Sequence, residues 1–183
     1  MTFSTASVQY LLAAPNAVAG YALPGTVYNS NGLFCSTTQV DLSVTKNNVF
    51  PDTTGPQNAQ HQVDYQCLFV YNSDTVTTLT AATAWIPTGS VVSNAITWAI
   101  GADPTPPSGY TSSTPQAVSV SSPYIAPAGV STWAGPSASL SGGVVLGDIL
   151  PRQVAALWVR RTATGTPASS ASFILYTSFG TNS

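Results

Sequence analysis

Alternation of apolar and polar side chains along this chain predicts β-strands. The stretch 65–71 is apolar on both faces, with Leu68 and Val70 on one face and Tyr65, Cys67, Phe69 and Tyr71 on the other. A strand that is covered on both faces lies inside a sheet, so this stretch is predicted to be a central strand. Helix patterns are scarce because Val, Thr, Ser, Gly and Pro interrupt almost every window.

Three further stretches, 95–100, 154–162 and 173–179, alternate in a similar way. The last two are predicted to form a hairpin, because only a turn-rich segment separates them. Shorter candidate strands bring the total to about eight, at 38–45, 77–86, 117–121 and 139–146. Short strands separated by turns predict an all-β fold, an antiparallel β-sandwich of Ig-like or jelly-roll type.

The first 37 residues follow no such pattern, because proline and glycine interrupt their short apolar patches. We therefore expect no helix or paired strand there, but an extended N-terminal arm over 1–37 and a sandwich domain over 38–183. An arm with apolar side chains must cover them on another surface. Its predicted contacts with a neighbouring subunit are Tyr10, Leu11, Leu12, Tyr21, Leu23 and Tyr28. The alternative is a long irregular wrap over its own domain.

Charged residues are nearly absent from the chain. It has six Asp, no Glu, one Lys and three Arg in 183 residues, where an ordinary domain is about a quarter charged. A surface of uncharged hydrogen-bonding groups favours a building block that assembles with other proteins. The four cations form no stripe that could neutralise a row of phosphates, so no nucleic-acid partner is expected. The sequence shows no signal-peptide or membrane-span pattern, so no membrane partner is expected either.

Titratable groups are too few and too scattered to predict a catalytic site. His61 could serve a Ser-His-Asp site with Asp64, but no Gly-x-Ser-x-Gly elbow presents a nucleophile, so His61 is predicted to be a loop residue. Carboxylate pairs for glycoside hydrolysis, Asp41 with Asp52 or Asp64 with Asp74, would meet only by accident of folding. Metal-ligand spacings are also missing. No enzyme activity, metal or cofactor is predicted.

Two adjacent cations, Arg160 and Arg161, point to opposite faces if they lie on a strand. A buried arginine needs a carboxylate or several carbonyls, so one of the two is expected to pair with an Asp. Asp64 and Asp148 are the leading candidates. The alternative is that this end of the strand leaves the sheet, and that both arginines meet solvent or another subunit; both are therefore candidate interface residues.

Trp133 differs from the other tryptophans because it lies in a loop rich in Pro and Gly. Trp85, Trp98 and Trp158 sit in strand patterns and are predicted to belong to the core. Three roles are open for Trp133: an interface anchor, a sugar-stacking platform, or a side chain folded back over its own sandwich.

The two cysteines, Cys35 and Cys67, are predicted to be reduced and buried, because nothing in the sequence indicates secretion. Their separation permits a disulfide without arguing for one.

Four segments together resemble a pattern found in small tailed-bacteriophage and prophage virion proteins. They are residues 48–52, 64–72, 146–153 and 157–162, and they include an Asp/Tyr/Cys strand that ends in Asn and a Trp-Val-Arg-Arg-Thr strand. Arg152 stands where the similar sequences have Gly. The resemblance covers about residues 45–180.

That resemblance implies a non-enzymatic virion structural protein, most specifically a capsid decoration (cement) protein. Such a protein lies on the capsid surface and is assembled in the cytoplasm of the bacterial host. Its implied partners are the major capsid protein and copies of itself, as a trimer. One alternative is a tail, baseplate or head-fibre protein of the same particle, since similar sandwiches serve there. From another class, a carbohydrate-binding module would use Trp133, Tyr110 or Tyr124 as stacking platforms.

Overall fold

A computed structural model of the protein describes residues 7–14, 17–18, 21–22, 30–40, 49–91, 95–165 and 171–182. The elements are strands β1 (Val8–Ala14), β2 (Ala17–Val18), β3 (Tyr21–Ala22) and β4 (Phe34–Gln39), helix α1 (Gly55–Ala59), and strands β5 (Val63–Asn72), β6 (Thr78–Trp85), β7 (Ile96–Ala102), β8 (Ser108–Gly109), β9 (Val144–Ile149), β10 (Gln153–Ala163) and β11 (Tyr176–Asn182). Nine strands form two antiparallel sheets, and β2 pairs with β3 in a short ribbon. The predicted all-β antiparallel sandwich is confirmed.

The larger sheet has the strand order β4-β1-β5-β10-β7, and β8 pairs with the start of β10. Strand β5 lies between β1 and β10, as its two apolar faces predicted. The β5–β10 ladder runs from the pair Tyr71 and Val154 to the pair Val63 and Thr162. The Arg161–Asp64 pair lies at one end of this ladder.

Both faces of the larger sheet are buried. On one face, Leu68 and Leu157 pack in the core between the two sheets. On the opposite face, Phe69 and Trp158 are fully buried with Val120 and Val130 from the long loops. The protein therefore has three layers, which are the smaller sheet, the larger sheet and a layer of loops. Apolar residues on both faces of a strand follow directly from this arrangement.

The smaller sheet has the order β11-β6-β9. Its inward side chains include Leu79 and Ala84 of β6 and Ile149 of β9, all with no exposed surface. Its other face looks away from the core. One of the two sheets therefore has an open side.

The expectation that no paired strand occurs before residue 38 is wrong, because β1 and β4 lie in the larger sheet. Leu11 and Leu12 of β1 are buried on opposite faces, and the hydroxyl of Tyr10 bonds to Oγ1 of Thr177 across the sandwich at 2.8 Å. These three predicted interface residues thus pack within their own domain. The strand prediction failed for β1 because its apolar run is short, shows no alternation and ends at a proline.

Of the other predicted arm contacts, Tyr21 lies in β3 and pairs with Val18. Leu23 and Tyr28 lie outside the described residues.

Three other strand predictions differ from the structure. The chain around 173–179 is not a hairpin partner of β10, since β11 pairs with β6 in the smaller sheet, while Phe173 and Leu175 pack on the core before the strand begins. The stretch 117–121 makes only an isolated bridge, between Ser119 and Gly32. The predicted strand at 38–45 lies earlier, at β4, and residues 41–45 are outside the described part.

Candidate functional site

Arg161 and Asp64 form a buried ion pair at one end of the β5–β10 ladder, where they lie directly opposite each other. Arg161 is 8% exposed and Asp64 is 5% exposed. Nε of Arg161 donates to Oδ2 of Asp64 at 2.9 Å, Nη2 donates to the same oxygen, and Nη1 donates to the Pro51 carbonyl at 2.7 Å. The prediction that one of the adjacent arginines pairs with an Asp is confirmed for Asp64. Asp148 instead accepts from the amide of Ala81.

Arg160 points to the opposite face, as the strand geometry predicted. Its guanidinium lies 5.0 Å from the ring centroid of Trp133. That ring also contacts Tyr65, with 5.5 Å between centroids, and Trp133 is half-buried. Of the three roles open for Trp133, the structure places the side chain against its own sheet.

A cleft of about 180 Å³ opens beside the Arg161–Asp64 pair. Its polar lining comes from β5, β10, α1 and the loops next to them, and includes Asp52, Gln57, Asp64, Gln66, Tyr124 and Arg161. The pair and Gln66 are buried, whereas Asp52 and Tyr124 are exposed. The cleft therefore has a buried polar floor and an accessible rim.

Tyr124 is held at this rim by its surroundings. The Pro123 carbonyl accepts from the amide of Tyr65 at 2.7 Å, which ties the loop to β5. Nε2 of Gln57 donates to the Tyr124 hydroxyl at 3.5 Å. Gln57 is itself fixed by a capping box with Thr54 at the start of α1. The ring, 56% exposed, is thus held in place by contacts within the protein.

Tyr124 is one of three side chains predicted as stacking platforms, and it alone of the three lines this cleft. Tyr110 stacks instead on Tyr71, with 4.5 Å between ring centroids.

The open side of the smaller sheet is uncharged over most of its area. We call it the outer face; it carries Thr83, Trp85, Val145, Tyr176 and Ser178. Val145 is 67% exposed, and Trp85 stacks on Tyr176 with 5.3 Å between centroids. The prediction that Trp85 belongs to the core is therefore wrong, whereas the same prediction for Trp98 and Trp158 is confirmed. In the sequences of β6, β9 and β11, Asp148 is the one charged residue.

Asp103 is a buried polar residue that the sequence pattern does not predict. Its Oδ2 accepts from the indole N–H of Trp158 at 2.7 Å and from the amide of Val118 at 3.0 Å, and its Oδ1 accepts from the amide of Thr105 at 2.8 Å. A predicted core tryptophan signals that some acceptor must meet its N–H. Nothing in the local sequence identifies which residue supplies it.

The carboxylate of Asp74 accepts hydrogen bonds from the backbone of the turn after β5. Its Oδ1 accepts from the amides of Val76 and Thr77 at 2.8 and 2.9 Å. These hydrogen bonds lower the pKa of Asp74, and the bond from the Thr77 amide has the largest effect. Asp74 follows the end of β5 and Asp64 lies near its start, so about 30 Å of extended chain separates them. They cannot act together on one bond, and Asp41 of the other predicted pair lies outside the described residues.

His61 is exposed and lies in the turn between α1 and β5, with a φ of 53°. Its ring packs over Gly165. In the described part of the chain, this ring makes no hydrogen bond to a carboxylate or a hydroxyl. That position agrees with the prediction of a loop residue.

The cysteines are free and buried. Cys35 on β4 lies opposite Ala13 of β1, and Cys67 lies on β5, on the other side of β1. Two strand spacings, about 9–10 Å, exceed the reach of a disulfide. Burial raises the pKa of both thiols.

Across the described ranges, no three His, Cys, Asp or Glu side chains come together in a group that could hold a metal ion. None of the helices in the described ranges is long and apolar enough to cross a membrane.

Comparison of the chain with protein-family models, curated proteins and solved structures finds no significant match. The resemblance to virion proteins therefore stays a prediction.

Proposed function

We propose that this protein is a non-enzymatic structural component of a bacteriophage particle, which acts by binding copies of itself and a second coat protein. The observation that carries the proposal is that the carboxylates accept hydrogen bonds within the fold. Four of the five described Asp side chains, Asp64, Asp74, Asp103 and Asp148, accept hydrogen bonds that hold the fold together. These four carboxylates serve as acceptors for donors within the fold, which agrees with a structural role.

The outer face of the smaller sheet supports the same proposal. Val145, Thr83 and Ser178 lie in one row across its three strands, next to the stacked pair Trp85 and Tyr176. Aromatic and aliphatic side chains set among uncharged hydrogen-bonding groups are typical of the centre of a protein interface, from which charged residues are depleted. Assembly through this face removes an exposed apolar surface from water.

Within a particle, the role that we favour is a capsid decoration protein that is trimeric and contacts the major capsid protein. This choice rests on the resemblance given above and on the uncharged surface. A tail, baseplate or head-fibre position is the second candidate, because a sandwich of this kind suits each of those places equally well. Cryo-electron microscopy of a particle that contains this chain separates the two positions directly.

Sedimentation velocity of the purified chain tests the assembly claim. We expect species larger than the 18.8 kDa monomer, in a proportion that grows with concentration. Val145→Lys places a charge in the outer face and should weaken self-association at least tenfold, because burying an unpaired ammonium is costly. Thr111→Lys, an exposed position in the loop layer, is the matched control and should leave association unchanged. A monomer at all concentrations that also fails to bind particles contradicts the proposal.

A further inference from the structure

The cleft beside the Arg161–Asp64 pair is lined by none of the outer-face residues. We infer that it binds one ring of a neutral carbohydrate, with the Tyr124 ring as its stacking wall. This inference is independent of the proposed structural role.

The floor of the cleft offers hydrogen-bond donors and acceptors side by side. A guanidinium has five N–H groups, and three of those of Arg161 are used, two for Asp64 and one for Pro51. The other two have no acceptor among the described residues. Asp64 supplies the acceptors next to them, since its Oδ1 receives one bond, from Nε2 of Gln62 at 2.9 Å. Neighbouring hydroxyls of a sugar both donate and accept, and they match such an array.

The charges of the cleft favour a neutral ligand. Arg161 and Asp64 neutralise each other on the floor, so no net cation is left there to bind a phosphate or a carboxylate. Asp52 at the rim is exposed and adds one negative charge, which repels anionic sugars. A lone carboxylate of this kind accepts hydrogen bonds from hydroxyls.

The apolar surfaces select a ring rather than an open chain. The Tyr124 ring is exposed at the rim, and Pro123 and Pro51 line the cleft beside it. The C–H face of a sugar ring stacks on an aromatic side chain in the way that other apolar groups do. The cleft volume of about 180 Å³ lies below the range of about 300–1,000 Å³ that is usual for ligand pockets, so the ligand must be small, such as a single ring.

Titration of the ¹⁵N-labelled chain with separate probes, followed by amide chemical shifts, tests the inference. The neutral probes are glucose, galactose, mannose and N-acetylglucosamine, and the matched probes are glucuronate, which adds a charge, and sorbitol, which lacks the ring. We expect saturable shifts at Asp52, Gln57 and Tyr124 for at least one neutral sugar, with a dissociation constant of about 1 mM. Glucuronate and sorbitol should bind at least tenfold more weakly.

Two variants assign the binding to the cleft. Tyr124→Ala removes an exposed side chain without a cavity in the core, and should weaken binding at least tenfold. Asp52→Ala should weaken it severalfold. Tyr176→Ala, which removes an exposed tyrosine from the smaller sheet, should leave the affinity unchanged. The inference is overturned by any of three results: no saturable shift with any neutral sugar up to about 100 mM, equal affinity for sorbitol, or equal effects of the two tyrosine variants.

Discussion

Asp103 accepts the indole N–H of Trp158 at 2.7 Å in a part of the protein where the tryptophan has no exposed surface. The same carboxylate also accepts from the amides of Val118 and Thr105. Asp103 therefore joins the larger sheet to the loop layer that covers it. One side chain satisfies three donors that would otherwise need other partners.

Asp103→Ala should lower the free energy of unfolding by about 2–4 kcal/mol, because it leaves a buried indole N–H and at least one amide without an acceptor. Urea denaturation followed by tryptophan fluorescence measures the change. Asp52→Ala, at an exposed carboxylate, is the control and should cost less than about 0.5 kcal/mol. Similar losses in the two variants would show that the buried hydrogen bonds of Asp103 make no particular contribution to the free energy of unfolding.

Removing one partner of the Arg161–Asp64 pair should cost about 3–5 kcal/mol, because the other charge stays buried without its counter-ion. Asp64→Leu and Arg161→Met are the single variants, and the double variant should lose less than the sum of the two. Arg160→Met is the matched control. It removes a cation that lies over the Trp133 ring and should cost no more than about 1 kcal/mol. Strict additivity in the double variant would contradict a direct coupling.

Asp74 should make stability depend on acid pH. Hydrogen bonds from the amides of Thr77 and Val76 lower its pKa from the ordinary 3.8. A pKa that is lowered in the folded state stabilises the protein above the unfolded value, and this contribution is lost as the pH falls through the folded value. Asp74→Asn keeps an acceptor but removes the charge. Its deficit in urea midpoint should be present at neutral pH and should disappear in acid. A deficit that stays constant with pH would contradict this mechanism.

Elements that are specified by neighbouring residues could be predicted from the sequence, whereas pairings selected by tertiary packing could not. Strand β7 follows from local alternation, and β5 and β10 follow from long runs that are apolar on both faces. The Arg161–Asp64 pair follows from the rule that a buried cation needs a carboxylate. The ladder pairing of β11 does not follow, because any of several strands offers a suitable edge and only tertiary packing selects one.

Neither the N-terminal strand β1 nor the cleft follows from the sequence. The run Tyr10–Ala14 is short, lacks alternation and is followed by a proline, a pattern that favours an irregular arm over a paired strand. The cleft draws on five separate segments of the chain. Tyr124 could be named as a candidate, but its position next to Asp64 and Arg161 depends on the folded loops.

The thiols should be inert in the folded protein. Cys35 and Cys67 are buried, and burial raises their pKa, so little reactive thiolate forms. Iodoacetamide should modify neither residue in native buffer and both in urea, as measured by intact mass. Strand β1 separates the two positions, so the unreduced chain should also carry the mass of two free thiols. Rapid native modification of either residue would contradict the buried positions.

Arg152 adopts a left-handed conformation, with a φ of 61°, in the turn between β9 and β10. Glycine adopts this conformation without steric cost, whereas other L-residues do so at about 1 kcal/mol. Arg152→Gly and Arg152→Ala both lose the hydrogen bond to the Tyr71 hydroxyl. They differ in the Cβ atom, and the Gly variant should be more stable than the Ala variant by about 1 kcal/mol in thermal or urea unfolding. Equal stability would show that the turn is not strained.

The hydrogen bond between Tyr10 and Thr177 spans 167 residues of sequence, and the β5–β10 ladder is also built from distant segments. A fold made of such long-range pairings forms slowly, on the scale of milliseconds to seconds. While the fold forms, its strands carry almost no charged residues to prevent them from pairing with the same strands of another copy. Refolding yield should therefore fall steeply with protein concentration, and slow synthesis at low temperature should favour the native sandwich over aggregates.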